Sequence, residues 1–495
     1  MRSSGILLPV FSLPGKYGIG CFSKEARSFI DFLKESGQKY WQILPLGPTG
    51  YGDSPYQTFS TFAGNPYFIS LESLIEEGLL TGRDCAHLDR KVDPKSIDYG
   101  RLYKERFKVL FKAFENWKSD DSYRDFCDEN ADWLPDYTLF MALKDEFDGV
   151  SFTKWDKKLR SRDEKTLDKY RKKLKKQTEF YGFLQFKFYE QWKALRGYAN
   201  EKGIEIIGDI PIYVSPDSSD LWASPELFQT DEEGNLTAVA GCPPDAFTAD
   251  GQLWGNPLYD WDLHRKTGFS WWTSRIRKCC ELYDVVRIDH FRGFDEYYSI
   301  PFGMKNARIG SWEKGPGLEL FKAVKKELGR INVIAEDLGF ITPSVRRLVK
   351  NTGFPNMKVL EFAFDRNDTL GKNEYLPHNY YENCVVYTGT HDNETLAGWW
   401  HSMKAPEKKR VRSYLDIKSA GTEVIADKMV RAALSSVAKI CIIPLQDYMG
   451  LGNEARINYP STLGGNWIWR YEKNDLTDEL SDRILSLTQL YGRSM

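Results

Sequence analysis

The sequence predicts an α/β protein built as a (β/α)8 (TIM) barrel, with large insertions between barrel strands forming subdomains around the mouth. Three observations carry this. Eight short apolar runs rich in β-branched residues recur along the chain, segments of helical period lie between most of them, and acidic residues follow four of them. Near-continuous apolarity without alternation is what a strand covered on both faces requires. Strands alternating with helices give parallel pairing, and eight of them favour a closed barrel over a doubly wound sheet.

The runs are Ile6–Leu8, Tyr40–Leu46, Ile204–Ile212, Val285–Ile288, Val333–Ala335, Val359–Phe364, Val385–Tyr387 and Ile440–Leu445. Each has the length of a buried strand rather than a helix. Between the first two, Ala26–Ser36 sets Phe29, Ile30, Phe32 and Leu33 on one helical side, and Phe186–Asn200 and Leu318–Leu328 behave likewise. Spacing is uneven. Residues 47–203 form a largely helical insertion after the second strand, with charged helical stretches at Arg101–Lys118 and Asp163–Gln177. The basic residues of the latter, Lys172, Lys173, Lys175 and Lys176, read as a solvated helix face rather than a nucleic-acid patch. Residues 211–282 form a loop-rich insertion after the third strand, dense in Pro, Gly, Asp and Trp. The whole of 1–495 reads as one catalytic domain. Loops after barrel strands build the active face, so both insertions are expected to wall a cleft.

Composition bounds the function. A hydrophobic share of 41% supports a sizeable core and excludes disorder as the state of the whole chain. With 70 acids against 68 bases, the formal charge of −2 argues against a dedicated nucleic-acid binder. The eight cysteines form no C-x-x-C pair, so they read as reduced, mostly buried thiols. MRSSGILLPVFSLPG has too short an apolar run for a secretory leader, and no stretch reaches about 18 apolar residues. The expectation is a cytoplasmic protein without membrane contact. Aromatics make up 14% of the chain. Most belong to a core, and some are candidates to line a cleft for flat apolar faces such as those of sugars.

Chemistry concentrates at the carboxyl ends of strands. The third run ends in Asp209, the fourth in Arg287, Asp289 and His290, the fifth in Glu336 and Asp337, the seventh in His391, Asp392 and Glu394. One such acid alone reads equally well as a helix cap. Four sites converging at one mouth repel each other unless paired or sharing a proton, which a mere scaffold has no reason to arrange. Neither G-x-G-x-x-G nor G-x-x-x-x-G-K is present, nor H-x-x-x-H, nor a cysteine cluster. Carboxylates without a metal or nucleotide handle fit glycoside cleavage, in which one carboxyl protonates the leaving oxygen and another attacks or stabilises the anomeric carbon.

RIDHFRG, AEDLG and THDN resemble segments of the amylase clan of barrel enzymes. More specifically, the chain resembles the 4-alpha-glucanotransferases of the amylomaltase (disproportionating enzyme) family, glycoside hydrolase family 77. The segments carrying this are PTGYGDSPYQTFSTFAGNPY at 48–67, GDIPIYV at 208–214, PPDAFTADGQLWGNPLYDW at 243–261, LPHNY at 376–380, QDYMGLGNEARINYP at 446–460 and GNWIWR at 465–470. They span essentially the whole chain. The resemblance implies Asp289 as nucleophile, Glu336 as general acid/base and Asp392 as transition-state stabiliser. It implies that His391 and Asp392 hold hydroxyls of the distorted sugar. Arg287, two residues before Asp289, shares its side of the strand and is expected to hold it ionised and aimed. Asp209 is expected to support Arg287 or the sugar. His290 and Tyr213 are further candidate substrate contacts. Trp254, Tyr51 and Tyr56 are candidate platforms for glucose rings, with Ser54, Asp245, Gln252 and Asn256 as hydrogen-bonding candidates.

The expected reaction is transfer of an α-1,4-glucan segment to the 4-hydroxyl of another glucan or glucose, by double displacement with retention. Retention implies carboxyls roughly 5–5.5 Å apart. The resemblance implies no metal or cofactor. Donors and acceptors would be maltooligosaccharides, amylose and glucose, and the protein a monomer or weak homo-oligomer. Two rivals differ in class. One is a retaining α-glucan hydrolase on the same barrel. The other is a non-catalytic carbohydrate-binding barrel, disfavoured because all three acids are present.

Overall fold

The computed structural model describes residues 2–50, 52–90, 92–244, 249–364, 370–418 and 421–494. Its twelve strands, in chain order, are β1 (Ser3–Leu7), β2 (Tyr40–Gln42), β3 (Glu205–Ile210), β4 (Ala238–Cys242), β5 (Gln252–Pro257), β6 (Val285–Ile288), β7 (Glu296–Pro301), β8 (Ser311–Lys314), β9 (Val333–Ala335), β10 (Asn356–Val359), β11 (Cys384–Tyr387) and β12 (Ile440–Pro444). Eight of these close a barrel in the order β1-β12-β11-β10-β9-β6-β3-β2. Every pairing within it is parallel, and closure is made where Ser3–Leu7 runs beside Ile440–Pro444.

Alternation sorts each strand between two cores. Leu7, Tyr40, Ile207, Val285, Ile334, Met357, Val385, Tyr387, Ile440 and Ile442 fill the lumen. Their neighbours, such as Ile6, Val286, Ile288, Val386 and Cys441, face the surrounding helices in a second, larger core. The helix Lys24–Glu35 shows why: Phe29, Ile30, Phe32 and Leu33 are buried on one side, and Ser23 caps its first turn.

One strand differs from the sequence expectation. The sixth apolar run, Val359–Phe364, is not the strand. β10 comes earlier, at Asn356–Val359, and Leu360–Phe364 forms a 3-10 helix. The polar residues that hide this strand find partners inside the fold. Asn356 Nδ2 donates to Asp337 at 3.1 Å, and Lys358 Nζ to Glu374 at 2.6 Å. Both are buried.

Residues between β2 and β3 are helical, including Tyr99–Asn116, Leu134–Glu146 and the long helix Lys175–Glu201. The basic run is tied by ion pairs to its surroundings, Lys176 to Glu115 at 2.7 Å and Lys173 to Glu146. The second insertion does not close on itself. Its β4 and β5 join β7 and β8, from beyond β6, in a four-stranded antiparallel sheet of order β5-β4-β7-β8. Long-range pairing of this kind leaves no local pattern in the sequence. No cysteine among the described residues is joined in a disulfide. Among the described residues, no helix is long and apolar enough to cross a membrane.

Gly208 in β3 has no room for a side chain, since an added Cβ would lie 2.2 Å from the Tyr283 ring. Overpacking of this kind costs about 1–3 kcal/mol. Gly208→Ala should lower the melting temperature, read by circular dichroism; an unchanged melt would refute this close packing.

Candidate active site

The lumen turns polar at the carboxyl ends of β3 and β6. Asp209 shares its face with Ile207, and Arg287 with Val285, so both point inward. Asp209 has no exposed surface, and Arg287 is 3% exposed. Arg287 Nη1 reaches both Asp209 oxygens, at 2.7 and 2.6 Å. Its Nη2 lies 3.0 Å from Asp289 Oδ1, and its Nε donates to Met357 Sδ at 3.4 Å. From the first insertion, the Tyr56 hydroxyl donates to Asp209 Oδ2 at 2.8 Å. One guanidinium is thus clamped between two carboxylates.

Glu336 stands directly after β9. Its Oε2 accepts the His290 backbone N–H at 2.6 Å, and its Oε1 accepts that of Leu338 at 2.8 Å. His290 adopts a left-handed conformation (φ 51°), uncommon for a non-glycine residue, at the turn out of β6. The carboxyls differ in environment. Burial, then the charge of Asp289, pushes Glu336 up to about 8, against the pull of Arg287 and the two N–H donors. Burial also raises Asp289, to about 6, because Arg287 offsets only part of that effect. The sequence expectation that Arg287 favours the ionised form holds in direction, while the cleft's burial outweighs it. Asp289 keeps 31% of its side-chain surface open to the cleft, whereas Glu336 is 8% exposed.

The third acid sits in the loop after β11. Asp392 Oδ2 lies 3.3 Å from His391 Nε2, and Oδ1 accepts Asn458 Nδ2 at 2.6 Å. Arg456 holds its backbone carbonyl at 2.7 Å. Burial works to raise Asp392, but the His391 charge and the hydrogen bonds from His391 and Asn458 prevail and lower it to about 2. The Tyr56 ring stacks on His391, centroids 5.2 Å apart, and Trp467 packs 6.0 Å from both.

A second group adjoins through His290. Trp254 meets its ring edge-to-face at 4.8 Å, and Tyr213 lies 6.3 Å from His290 and 6.4 Å from Trp254. The His290 Nε2 is buried without a hydrogen-bond partner. Burial holds this imidazole neutral, its pKa lowered to about 3.

Asp289, Glu336, Asp392, Arg287, His391, Asp209, Tyr56, His290, Tyr213 and Trp254 therefore form one connected set. Three other candidates are engaged with their own loops. Asn256 donates to the Val214 carbonyl at 2.8 Å and accepts Gln57 Nε2 at 3.4 Å. Ser54 accepts the Tyr56 N–H at 3.3 Å, and Gln252 accepts Trp254 Nε1 at 3.1 Å. Tyr51 and Asp245 lie outside the described residues. Asn458, Arg456 and Trp467 were missed as site residues. They lie in the quoted segments 446–460 and 465–470, but follow no strand directly, so no positional cue singled them out. Among the described residues, no group of three or more His, Cys, Asp or Glu side chains is arranged to hold a metal ion.

A protonated carboxyl near an ionised carboxylate, the latter beside a fixed cation, can give a proton on one side of a bond and attack on the other. Comparison with known proteins bears on which bond. The glycoside hydrolase 77 family profile, described as 4-alpha-glucanotransferase, matches residues 8–477. A 4-alpha-glucanotransferase of Clostridium butyricum is 49% identical over 487 residues, covering 98% of this chain and 99% of that protein. One from Thermus thermophilus is 45% identical, covering 99% of each. Among solved structures, amylomaltase from Streptococcus agalactiae in complex with acarbose superposes with a TM-score of 0.96 at 42% identity over the full length of both chains. Amylomaltase from Corynebacterium glutamicum shares the fold at a TM-score of 0.79 and 19% identity, covering 98% of this chain and 75% of that one.

Removing the charge at Asp289 removes one of the effects that raise Glu336. Asp289→Asn should therefore lower the Glu336 pKa from about 8, read by carbon NMR titration of labelled glutamate. An unmoved titration would show that the two carboxyls are not coupled.

Proposed function

This chain belongs to the 4-alpha-glucanotransferases of glycoside hydrolase family 77, and on that premise we propose that Asp289 is the nucleophile, Glu336 the general acid/base and Asp392 the transition-state stabiliser. The enzyme moves a segment of an α-1,4-glucan to another glucan with retention. The observation that carries the residue assignment is the separation of Glu336, raised to about 8, from Asp289, near 6. At neutral pH this leaves the acid protonated and the nucleophile mainly ionised.

In the first half, Asp289 Oδ forms a bond to the anomeric carbon while the bond from that carbon to the leaving O4 breaks. The leaving O4 takes the Glu336 proton. Esterified Asp289 carries no charge, so the raising effect on Glu336 is lost and Glu336 becomes a competent base. In the second half it removes the proton from the incoming 4-hydroxyl. That oxygen bonds to the anomeric carbon, and the ester bond breaks. Two inversions give retention. Asp209 acts through Arg287 rather than on sugar, since it is wholly buried. His391 and Asp392 would hold hydroxyls of the reacting glucose, and the unpartnered His290 Nε2 would accept or donate one further hydrogen bond.

Transfer over hydrolysis demands that the ester outlast encounters with water and meet a sugar. Trp254 would supply the platform, its indole steadied by Gln252 and seated against His290. Tyr213 backs that platform, while Ser54 and Asn256 fix the loops beside it. Donors and acceptors would be maltooligosaccharides, amylose and glucose, with the protein working in the cytoplasm as a monomer or weak homo-oligomer. Eight cysteines without a disulfide among the described residues support that compartment.

With maltotriose, the enzyme should yield glucose and longer maltodextrins at a constant number of reducing ends; a rise in reducing ends would identify a hydrolase. Asp289→Asn should cost roughly a thousandfold or more in kcat/KM, equal to about 4 kcal/mol. Retained transfer would overturn its role. The pH profile of kcat/KM should rise as the first of the two coupled carboxyls ionises, near 6, and fall as the second does, near 8. A flat profile between pH 5 and 9 would contradict the acid–nucleophile pair. Trp254→Ala should raise the ratio of hydrolysis to transfer, measured as new reducing ends per glucose released; an unaltered ratio would remove the platform.

A further inference from the structure

At the other end of the barrel, the amino ends of six strands open onto a cavity of about 1050 Å³. That size suits a small organic ligand. Its floor is the outermost layer of the lumen, including Tyr40, Val285, Ile334 and Ile440. Phe321 and Phe354, in edge-to-face contact at 5.5 Å, supply an aromatic wall.

The rim is cationic although the chain is nearly neutral. Lys322, Lys325 and Arg330 come from the helix Leu318–Leu328 and the turn after it, and Lys39 and Lys439 immediately precede β2 and β12. All but Lys39 of these five are exposed. The acids of that helix are paired elsewhere, Glu319 with Arg265 at 3.0 Å and Glu327 with Arg277. Among the described lining residues Glu205 is the one carboxylate, and it pairs with Lys39 at 3.0 Å.

Two guanidiniums complete the lining. Arg493 is fully buried and donates to the carbonyls of Ser3, Leu434, Ser436 and Ala438 at 2.6–3.0 Å. Arg2 donates to the carbonyls of Ser436 and Tyr491 at 2.7 and 2.6 Å. Neutral carbonyls accept from these N–H groups, and among the described residues no carboxylate pairs with either guanidinium. Charges so placed are costly unless an anion joins them. A nucleic-acid backbone would touch only the rim, whereas the concave, partly aromatic interior fits a ring.

We propose that this cavity binds a small phosphorylated metabolite, its phosphoryl oxygens among the rim lysines and Arg330 and its ring against the apolar floor. Lysine and arginine suit phosphate oxygens by charge and hydrogen-bond geometry. The site is separate from the glucan cleft, because the packed lumen lies between them.

Isothermal titration of the full chain at 150 mM salt with ADP and with inorganic pyrophosphate tests this. One saturable site per chain is expected, with ADP at least tenfold tighter than pyrophosphate. Lys325→Glu combined with Arg330→Glu should weaken both ligands at least tenfold, leaving maltotriose transfer and the melting temperature unchanged. If that double variant misfolds, Lys322→Glu alone should weaken ADP severalfold. Excess acarbose should not displace ADP. Absence of saturable binding, binding indifferent to charge reversal, or displacement by acarbose would overturn the proposal, and equal affinity for the two probes would remove the ring from it.

Discussion

The mouth of this barrel depends on where one guanidinium is held. Arg287 lies inside the lumen with Asp209 beneath it and Asp289 above. A buried charge tolerates such a place only when its partners are fixed. Breaking a buried pair typically costs about 3–5 kcal/mol because the survivor is stranded. Asp209 accepts Tyr56 as well, so its lone pairs are used. The division of labour between the acids follows from this arrangement. Asp289 is in contact with the cation, which opposes the burial that raises it, while Glu336 is raised further by burial and by the charge of Asp289, against Arg287 and two backbone N–H donors.

Around this rigid centre the rim is assembled from loops that brace one another. Tyr56 serves two of them, its hydroxyl on Asp209 and its ring on His391. Asn458 and Arg456 fasten Asp392 by side chain and by backbone. The left-handed turns at His290 and Trp467 aim a backbone donor and a ring respectively. Such backbone conformations persist where surrounding contacts over-determine them. The rim of the candidate site is consequently a shared product of both insertions, the β11 loop and the segment from 446 to 470.

Much of this was legible in the residues alone. Strands wrapped by lumen and helices are mostly apolar, which is why seven of the eight barrel strands overlap the apolar runs. The acids were legible because charge at a strand's end is conspicuous against such a background. β10 was displaced because Asn356 and Lys358 are buried with partners, and sequence carries no sign of a distant Glu374 waiting for a lysine. The antiparallel sheet of β4, β5, β7 and β8 was invisible for a related reason, since its pairing skips across a barrel strand. Asn458 and Arg456 serve the site from a loop, where neither periodicity nor strand position marks a residue. Asn256, a candidate sugar contact, donates to the Val214 carbonyl and accepts from Gln57, which ties it to the loops beside the cleft.

Closure of the barrel between β1 and β12 has a bearing on how the polypeptide comes into being. A ribosome releases Ser3–Leu7 long before it synthesises Ile440–Pro444. During that interval the growing sheet presents two unpaired parallel edges, surfaces that invite pairing with other nascent chains. The strand that seals the ring is followed, after one short helix and a 3-10 turn, by Arg456 and Asn458, which clasp Asp392, so the late steps of biogenesis complete the scaffold and the candidate site together.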